Sequence, residues 1–353
     1  MTVRIIDAHL DFAYNAVIKK RDLRLPVSQI RRQEQQAPPT PAPYTGCLAS
    51  LPEMRGKIAL FGGSLFVEPA SEESEGLPVY HTPQEAHQQA IAQLDYYHRL
   101  ADEDETIYLL QKATDLATVL NGWPQPQPRL GIFIIMEGAD PILTPDELPW
   151  WVERGLRGLM PSWALGTRYA GGNNAPGPFT AAGKELLKRM AQYPLLLDLS
   201  HLWEEAAWEA LEKYPGPIAA SHANPRAFVD RPRMLSDAML RRIAERDGVI
   251  GLIPYNRMLQ ADWKPGNPRL PLQRFIEAID HVCQCIGDAA HVGIGSDYDG
   301  GFGVESVPEP INTIGDLVLL EKMLEQRGYN ARDIAAILGD NWLRLMQTAL
   351  QPF

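Results

Sequence analysis

The 353-residue sequence predicts an α/β fold, a parallel sheet of eight strands with interleaved helices in the manner of a (β/α)8 TIM-like barrel. Three observations predict it. Short apolar runs alternate with amphipathic stretches along most of the chain, the rhythm of βα units around a parallel sheet. Eight such runs can be counted, and the length suits one large barrel. The polar residues with the most chemical potential stand just after those runs, where the loops of a barrel assemble an active site. Strand count alone fits a doubly wound open sheet equally well.

In chain order, the strands are expected at Val3–Ile6, Ala59–Val67, Leu130–Met136, Gly158–Met160, Leu195–Leu199, Pro217–Ala220, Val249–Ile253 and His291–Ile294. Each is a short apolar run of the kind that a sheet covered on both faces requires. Helical patterns separate them at Pro83–Leu100, Asp146–Arg154, Ala181–Gln192, Trp203–Lys213, Ser236–Arg246, Pro271–Cys285 and Ile314–Gln326, and a final helix is expected at Ala331–Leu350. The polar, Pro-rich Gln33–Tyr44 and the acidic Glu68–Leu77 interrupt the rhythm. Because it resumes beyond each, they read as surface loops, so residues 1–353 form a single domain with loop insertions near 28–57 and 68–80. The stretch Arg168–Asn174 reads as a flexible rim loop without chemistry.

Composition narrows the function. At 45% hydrophobic and 22% charged residues the chain is that of a globular protein, and its net charge of −11 repels phosphate backbones and anionic lipid. No nucleic-acid or membrane partner is expected, and no run approaches the roughly 18 apolar residues of a span. Three cysteines cannot build a disulfide framework, and the N-terminal segment lacks the apolar core of a signal peptide, so a cytoplasmic location is expected.

Six residues stand where a barrel keeps its chemistry. His9 and Asp11 follow the first strand and, two apart in extended chain, face one side. Glu137, His201, His222 and Asp297 follow later strands. Three imidazoles and two carboxylates on one rim suit a borderline divalent ion such as zinc, and manganese, cobalt and iron accept the same set. Five ligands exceed one catalytic site, so two ions sharing a bridging carboxylate are the economical reading. The other five histidines, His81, His87, His98, His281 and His291, read as structural or solvated. Asp7, Asp198 and Asp299 read either as acceptors orienting the histidines or as turn and cap residues.

Taken in order, His9-x-Asp11, Met136-Glu137-Gly138, Leu197-Asp198-Leu199-Ser200-His201, Ser221-His222 and Gly295-Ser296-Asp297-Tyr298-Asp299-Gly300 resemble the membrane dipeptidase, or renal dipeptidase, family of binuclear zinc peptidases. The likeness runs from about Asp7 to Gly339–Arg344, and Phe179–Gly183 belongs to it. It implies a (β/α)8 barrel of metallo-dependent hydrolase type with two Zn2+ ions at its C-terminal mouth. His9 and Asp11 would hold one ion, His201 and His222 the other, and Glu137 would bridge them. By the same resemblance Asp297 is the acid/base carboxylate, Arg233 pairs with the substrate's terminal carboxylate and Tyr255 lines the pocket, and a homodimer is expected. On the residues alone, Asp297 also fits a turn residue or a further ligand, Arg233 a surface salt bridge and Tyr255 packing beneath the rim. One departure stands out: where the mammalian pattern has a Thr-His element, this chain has Ser162-Trp163, as bacterial branches do. Trp163 can donate a hydrogen bond to substrate but cannot accept a proton.

The implied activity is hydrolysis of dipeptides bearing a free C-terminal carboxylate, by a metal-bridging hydroxide. Two alternatives stand beside it. One is a binuclear amidohydrolase acting on a cyclic amide, lactone or phosphoester, which lacks support in the His-x-Asp motif and the absence of a strand-end lysine. The other is a barrel that has lost catalysis and only binds.

Overall fold

The computed structural model of the protein describes residues 4–36, 46–71, 78–121, 123 and 128–352. Among these, eleven strands form: β1 (Ile5–Leu10), β2 (Ile58–Phe66), β3 (Ile107–Leu109), β4 (Leu130–Glu137), β5 (Leu156–Met160), β6 (Ala170–Gly172), β7 (Ala175–Phe179), β8 (Leu196–Asp198), β9 (Ile218–Ala220), β10 (Val249–Leu252) and β11 (Val292–Ile294). Strands β1, β11, β10, β9, β8, β5, β4 and β2 pair in that order, all parallel, and β2 pairs with β4 to close the ring. The protein is a closed (β/α)8 barrel, and the open sheet is excluded.

The eight expected strands are the eight staves of the ring, with shifted ends. β1 extends through Asp7-Ala8-His9-Leu10, because pairing to Phe61 of β2 and Ile294 of β11 carries it past the apolar run. Val3 lies outside the described residues, as do 37–45 and 72–77 of the two expected insertions. Within the first insertion, Val27–Gln36 and Leu51–Met54 are helices. β3 was not legible: it pairs with Leu130–Ile132 on the edge of β4 that β5 occupies further along, at Ile134–Glu137. The expected flexible loop at 168–174 is instead largely a hairpin, β6 pairing antiparallel with β7.

Apolar packing holds the frame. Every residue of β2 and β4 is buried, as strands covered on both faces must be. The helix Pro83–Glu103 turns Ala86, Ala90, Leu94 and Tyr97 inward at helical spacing, and Thr82 caps its first turn by accepting from the Glu85 N–H. The Tyr97 hydroxyl donates to the Ser64 carbonyl (3.0 Å) and accepts from the Ala13 N–H (3.1 Å), tying that helix to β2 and to the segment after β1. The expected final helix is broken into Ala331–Ala335, a π turn at Ala336–Asp340, and Asn341–Ala349. Asn341 there donates to the Ala289 and Val292 carbonyls, and the buried Trp342 indole donates to Ile294, so the chain's last helix grips β11. No described helix is long and apolar enough to cross a membrane.

Candidate metal centre and active site

Barrel geometry brings the six rim residues to one point. His9 lies within β1, Asp11 just past it, and Glu137 ends β4. His201, His222 and Asp297 follow β8, β9 and β11 by two or three residues. Glu137 stands between the others: its Oε2 is 3.0 Å from His9 Nε2, while its Oε1 is 3.1 Å from His201 Nε2 and 3.5 Å from His222 Nε2. His9 Nε2 is also 3.8 Å from Asp11 and 3.9 Å from Asp297. The His9 and His222 rings stack at 3.8 Å. Coordinating atoms of His9, Glu137 and His222 all lie within 4.8 Å of one another, and so do those of His9, Asp11 and Asp297. Asp297 is thus near enough to be a ligand as well as a proton carrier.

The three other aspartates hold backbone. Asp7 accepts from the His9 N–H (3.3 Å) and from the Ser296 N–H (2.8 Å) and hydroxyl (2.5 Å). Asp198 accepts from the Ser200 and Ser221 N–H groups at 3.0 and 2.9 Å. Asp299 accepts from the Leu48 and Ala49 N–H groups. None of these bonds reaches an imidazole ring, so the turn-forming alternative holds. The turns they make are demanding. His201 and Asp297 adopt left-handed backbone, with φ of 65° and 54°, which side chains with a Cβ enter only when the surroundings impose it. Gly251 and Gly295 both face the Ser221 carbonyl oxygen, and a Cβ on either would fall 1.9 or 1.7 Å from it. Only glycine lets β10 and β11 approach the turn that delivers His222 so closely.

The electrostatics of these groups ask for a cation. Burial pushes Glu137 up to about 8, with Arg233 opposing and Asp198 adding to the rise. Burial and the neighbouring Glu137 raise Asp11 to about 6, against His9 and the Ser64 hydroxyl. Asp297 is driven well above the carboxylate range, chiefly by burial. Burial also holds His201 and His222 well below the usual imidazole value, helped by nearby Arg233 and His9. The rings are therefore neutral, and their lone pairs converge: His201 Nε2 and His222 Nε2 are 3.0 Å apart, and the buried His9 Nε2 and Glu137 Oε2 have no hydrogen-bond partner. Ligands about 2.0–2.2 Å from a tetrahedral ion lie about 3.3–3.6 Å from each other, a spacing that the 3.0–3.9 Å separations here bracket. The donor set fits divalent ions.

Around this centre stand the other residues singled out in the sequence. Arg233 is no surface ion pair: its guanidinium donates to the His222 carbonyl (2.5 Å) and lies 3.4 Å from His201 Nε2. The Trp163 ring leans over His201 at 6.0 Å and packs against Phe66 at 5.1 Å. Tyr255, half-buried, stacks flat on Phe302 at 4.1 Å. The other five histidines take no part; His87, for example, meets the Pro141 carbonyl and His291 that of Gly248. Three supporting residues went unread: Ser64, whose hydroxyl donates to Asp11; Ser221, 2.8 Å from His222 Nδ1; and Asn173, 2.9 Å from His201 Nδ1. Ser221 could have been suspected from adjacency to His222. Nothing local marks Asn173.

A profile of the membrane dipeptidase family (Peptidase family M19) matches residues 2–351. An uncharacterized protein in the pqqA 5' region of Klebsiella pneumoniae is 31% identical over 205 residues, covering 56% of this chain and 73% of that one. An uncharacterized dipeptidase of Schizosaccharomyces pombe is 29% identical over 47% of this chain and 39% of its own. A metallopeptidase from Rhodobacter sphaeroides, solved with a phosphinate mimic of the dipeptide L-Ala-D-Ala, superposes with a TM-score of 0.79 at 22% identity, over 99% of this chain and 100% of that one. The last likeness speaks to the fold. The profile, matching nearly the whole chain, speaks to descent: the chain belongs to the membrane dipeptidase family, Peptidase family M19, and so to the metal-dependent dipeptidases.

Proposed function

We propose that this dipeptidase holds two divalent ions, taken to be zinc, through His9, Asp11 and Glu137 on one side and Glu137, His201 and His222 on the other. The observation that carries the reading is the placement of Glu137, whose two carboxylate oxygens face His9 in one direction and the His201–His222 pair in the other. Ions in such a site supply Lewis-acid polarisation of the scissile carbonyl and lower the pKa of water. The chain's own residues do the rest. Asp297 takes the proton of the attacking water and returns it to the departing amine, a role suited to a carboxyl whose burial keeps it basic. Arg233, a planar donor with a buried Nε that lacks a partner, pairs with the free C-terminal carboxylate of the substrate. Trp163 and Tyr255 wall the pocket, Trp163 offering an indole N–H where mammalian relatives offer an imidazole. A homodimer and a cytoplasmic location complete the reading. The latter is supported by three cysteines that form no disulfide among the described residues.

The test is a dipeptide panel offered to protein stripped by chelator and reconstituted with zinc, each dipeptide beside its C-terminal amide. Turnover of free dipeptides that chelator abolishes and amidation suppresses is expected. Equal turnover of amide and acid would refute the carboxylate clamp and favour the cyclic-amide alternative, and no turnover of any dipeptide would favour a binding barrel.

A further inference from the structure

The β6–β7 hairpin has no role in the proposed chemistry, yet it is fastened at both sides of the centre. The Asn173 N–H donates to the His201 carbonyl (3.0 Å), the Trp203 N–H to Gly171 (3.0 Å), and the Asn174 N–H to Ala164 in the loop that carries Trp163 (2.8 Å). From the tip, the Asn173 side chain reaches His201: its Oδ1 lies 2.9 Å from the ring Nδ1. The amide's orientation is set from its other end, where Nδ2 donates to Asn174 Oδ1 at 2.9 Å. With an acceptor-only oxygen against Nδ1, that nitrogen must carry the proton. At the opposite edge of the ring, Arg233 Nη2, which can only donate, lies 3.4 Å from His201 Nε2, and Glu137 Oε1, the carboxylate oxygen proposed to share an ion with that nitrogen, lies 3.1 Å away.

We propose that Asn173 is a positioning residue that fixes the Nδ1–H tautomer and the tilt of His201, keeping the Nε2 lone pair aimed at the centre. His201 needs such a partner. It sits in left-handed backbone, three residues beyond the last Cα pairing of β8, and the aromatic rings recorded beside it among the described residues are His222 at 5.0 Å and Trp163 at 6.0 Å. His9, by contrast, lies inside a strand, stacked on His222, and its Nδ1 has no hydrogen-bond partner among the described residues. The hydrogen bond to Asn173 supplies for His201 the orientation that a strand supplies for His9. Partners of this kind on metal-binding histidines raise ligand basicity and typically govern metal affinity by about 10- to 100-fold. The effect falls on one ion: His9 and Asp11 are not touched by the hairpin tip, so the ion they share with Glu137 keeps its affinity.

This inference rests on the proposed ligand role of His201, and the experiment separates the two. Wild type, His201→Ala, Asn173→Ala and Asn173→Asp are loaded with zinc and dialysed against graded chelator, and ions per chain are counted by plasma mass spectrometry. Asn173→Ala keeps the backbone bonds of the hairpin, so the latch itself survives. The expected result is loss of one ion from Asn173→Ala at a chelator concentration about 10- to 100-fold lower than wild type requires, with retention restored in Asn173→Asp, whose carboxylate still accepts from Nδ1. Wild-type retention by Asn173→Ala, or equal loss from the Ala and Asp variants, would overturn the positioning role while His201→Ala still loses an ion. Retention of both ions by His201→Ala would instead overturn the ligand assignment itself.

Discussion

Stripping the ions should reverse the pH dependence of stability, and Glu137 sets the size of the effect. A carboxyl whose folded-state pKa lies above its unfolded value binds its proton more tightly in the folded chain. Its stabilising contribution is complete below the unfolded value and disappears as the pH rises through the folded one. For Glu137 that window runs from the ordinary 4.5 to about 8. At about 1.4 kcal/mol per pH unit, ionising it in the metal-free centre costs roughly 4–5 kcal/mol. A chain of 353 residues has an unfolding entropy of about 0.7 kcal/mol per degree, so the corresponding fall in Tm is roughly 6 °C. Asp7 and Asp11, raised to about 6 chiefly by burial, add losses of the same sign at lower pH. The assay is scanning calorimetry of wild type and Glu137→Gln in chelator between pH 5 and 8.5. The difference between the two proteins cancels the titrations that Glu137 does not influence; those of Asp11 and Asp297, which its charge raises, move with it. Wild type should lose about 6 °C relative to the variant over that range. With ions restored the slope should change sign, because ligands must shed protons to bind metal. A metal-free wild type whose Tm stays level with the variant, or rises against it, would refute both the burial argument and the reason a cation is wanted there.

Asp297→Asn, nearly isosteric but unable to shuttle a proton, should lower kcat by about 10²- to 10⁴-fold while both ions stay bound; loss of an ion by metal counting would make Asp297 a ligand instead. Arg233→Met should raise the barrier for a free dipeptide by about 1.5–3 kcal/mol in kcat/KM and leave its amide unaffected, and a loss shared by both substrates would mean that the guanidinium supports the His222 turn alone. Gly295→Ala forces a Cβ against the Ser221 carbonyl at 1.7 Å and should cost about 2 kcal/mol or more in denaturant unfolding, whereas Gly177→Ala, with its nearest neighbour at 3.7 Å, should stay within about 0.5 kcal/mol.

The barrel and the clustering of the candidate residues on its rim were legible for one reason: parallel strands buried on both faces must be apolar, so the first polar residues beyond each run lie on the rim. His201, His222 and Asp297 were found in that way. What could not be read depends on partners distant in sequence. β1 runs four residues past its apolar start because β2 and β11 pair with it and Ser296 satisfies Asp7. β3 borrows half an edge of β4. Arg168–Asn174, rich in glycine and asparagine, has the composition of a mobile loop, yet it is pinned by carbonyls of residues 164 and 201. Asp7 and Asp198 stand two and three residues before histidines and Asp299 in a rim motif, and only the fold shows that all three receive N–H groups rather than rings.

The attachment of β1 to β11 makes the centre a late event in the life of the chain. His9, Asp11 and Glu137 leave the ribosome within the first 137 residues, and His222 well before the end. Yet the backbone of His9 is steadied by Asp7, and Asp7 in turn by Ser296, almost 290 residues downstream, just past a strand gripped by the final helix. A nascent chain long enough to carry all five proposed ligands can already join β1 to β4 through β2, but it lacks the stave that closes the ring between β1 and β10. On the proposed ligand set, the final geometry of the centre awaits ring closure, because Ser296 holds Asp7 only once β11 is in place. A product truncated before β11 would keep the five proposed ligands but leave one edge of β1 unpaired and Asp7 without its partner Ser296.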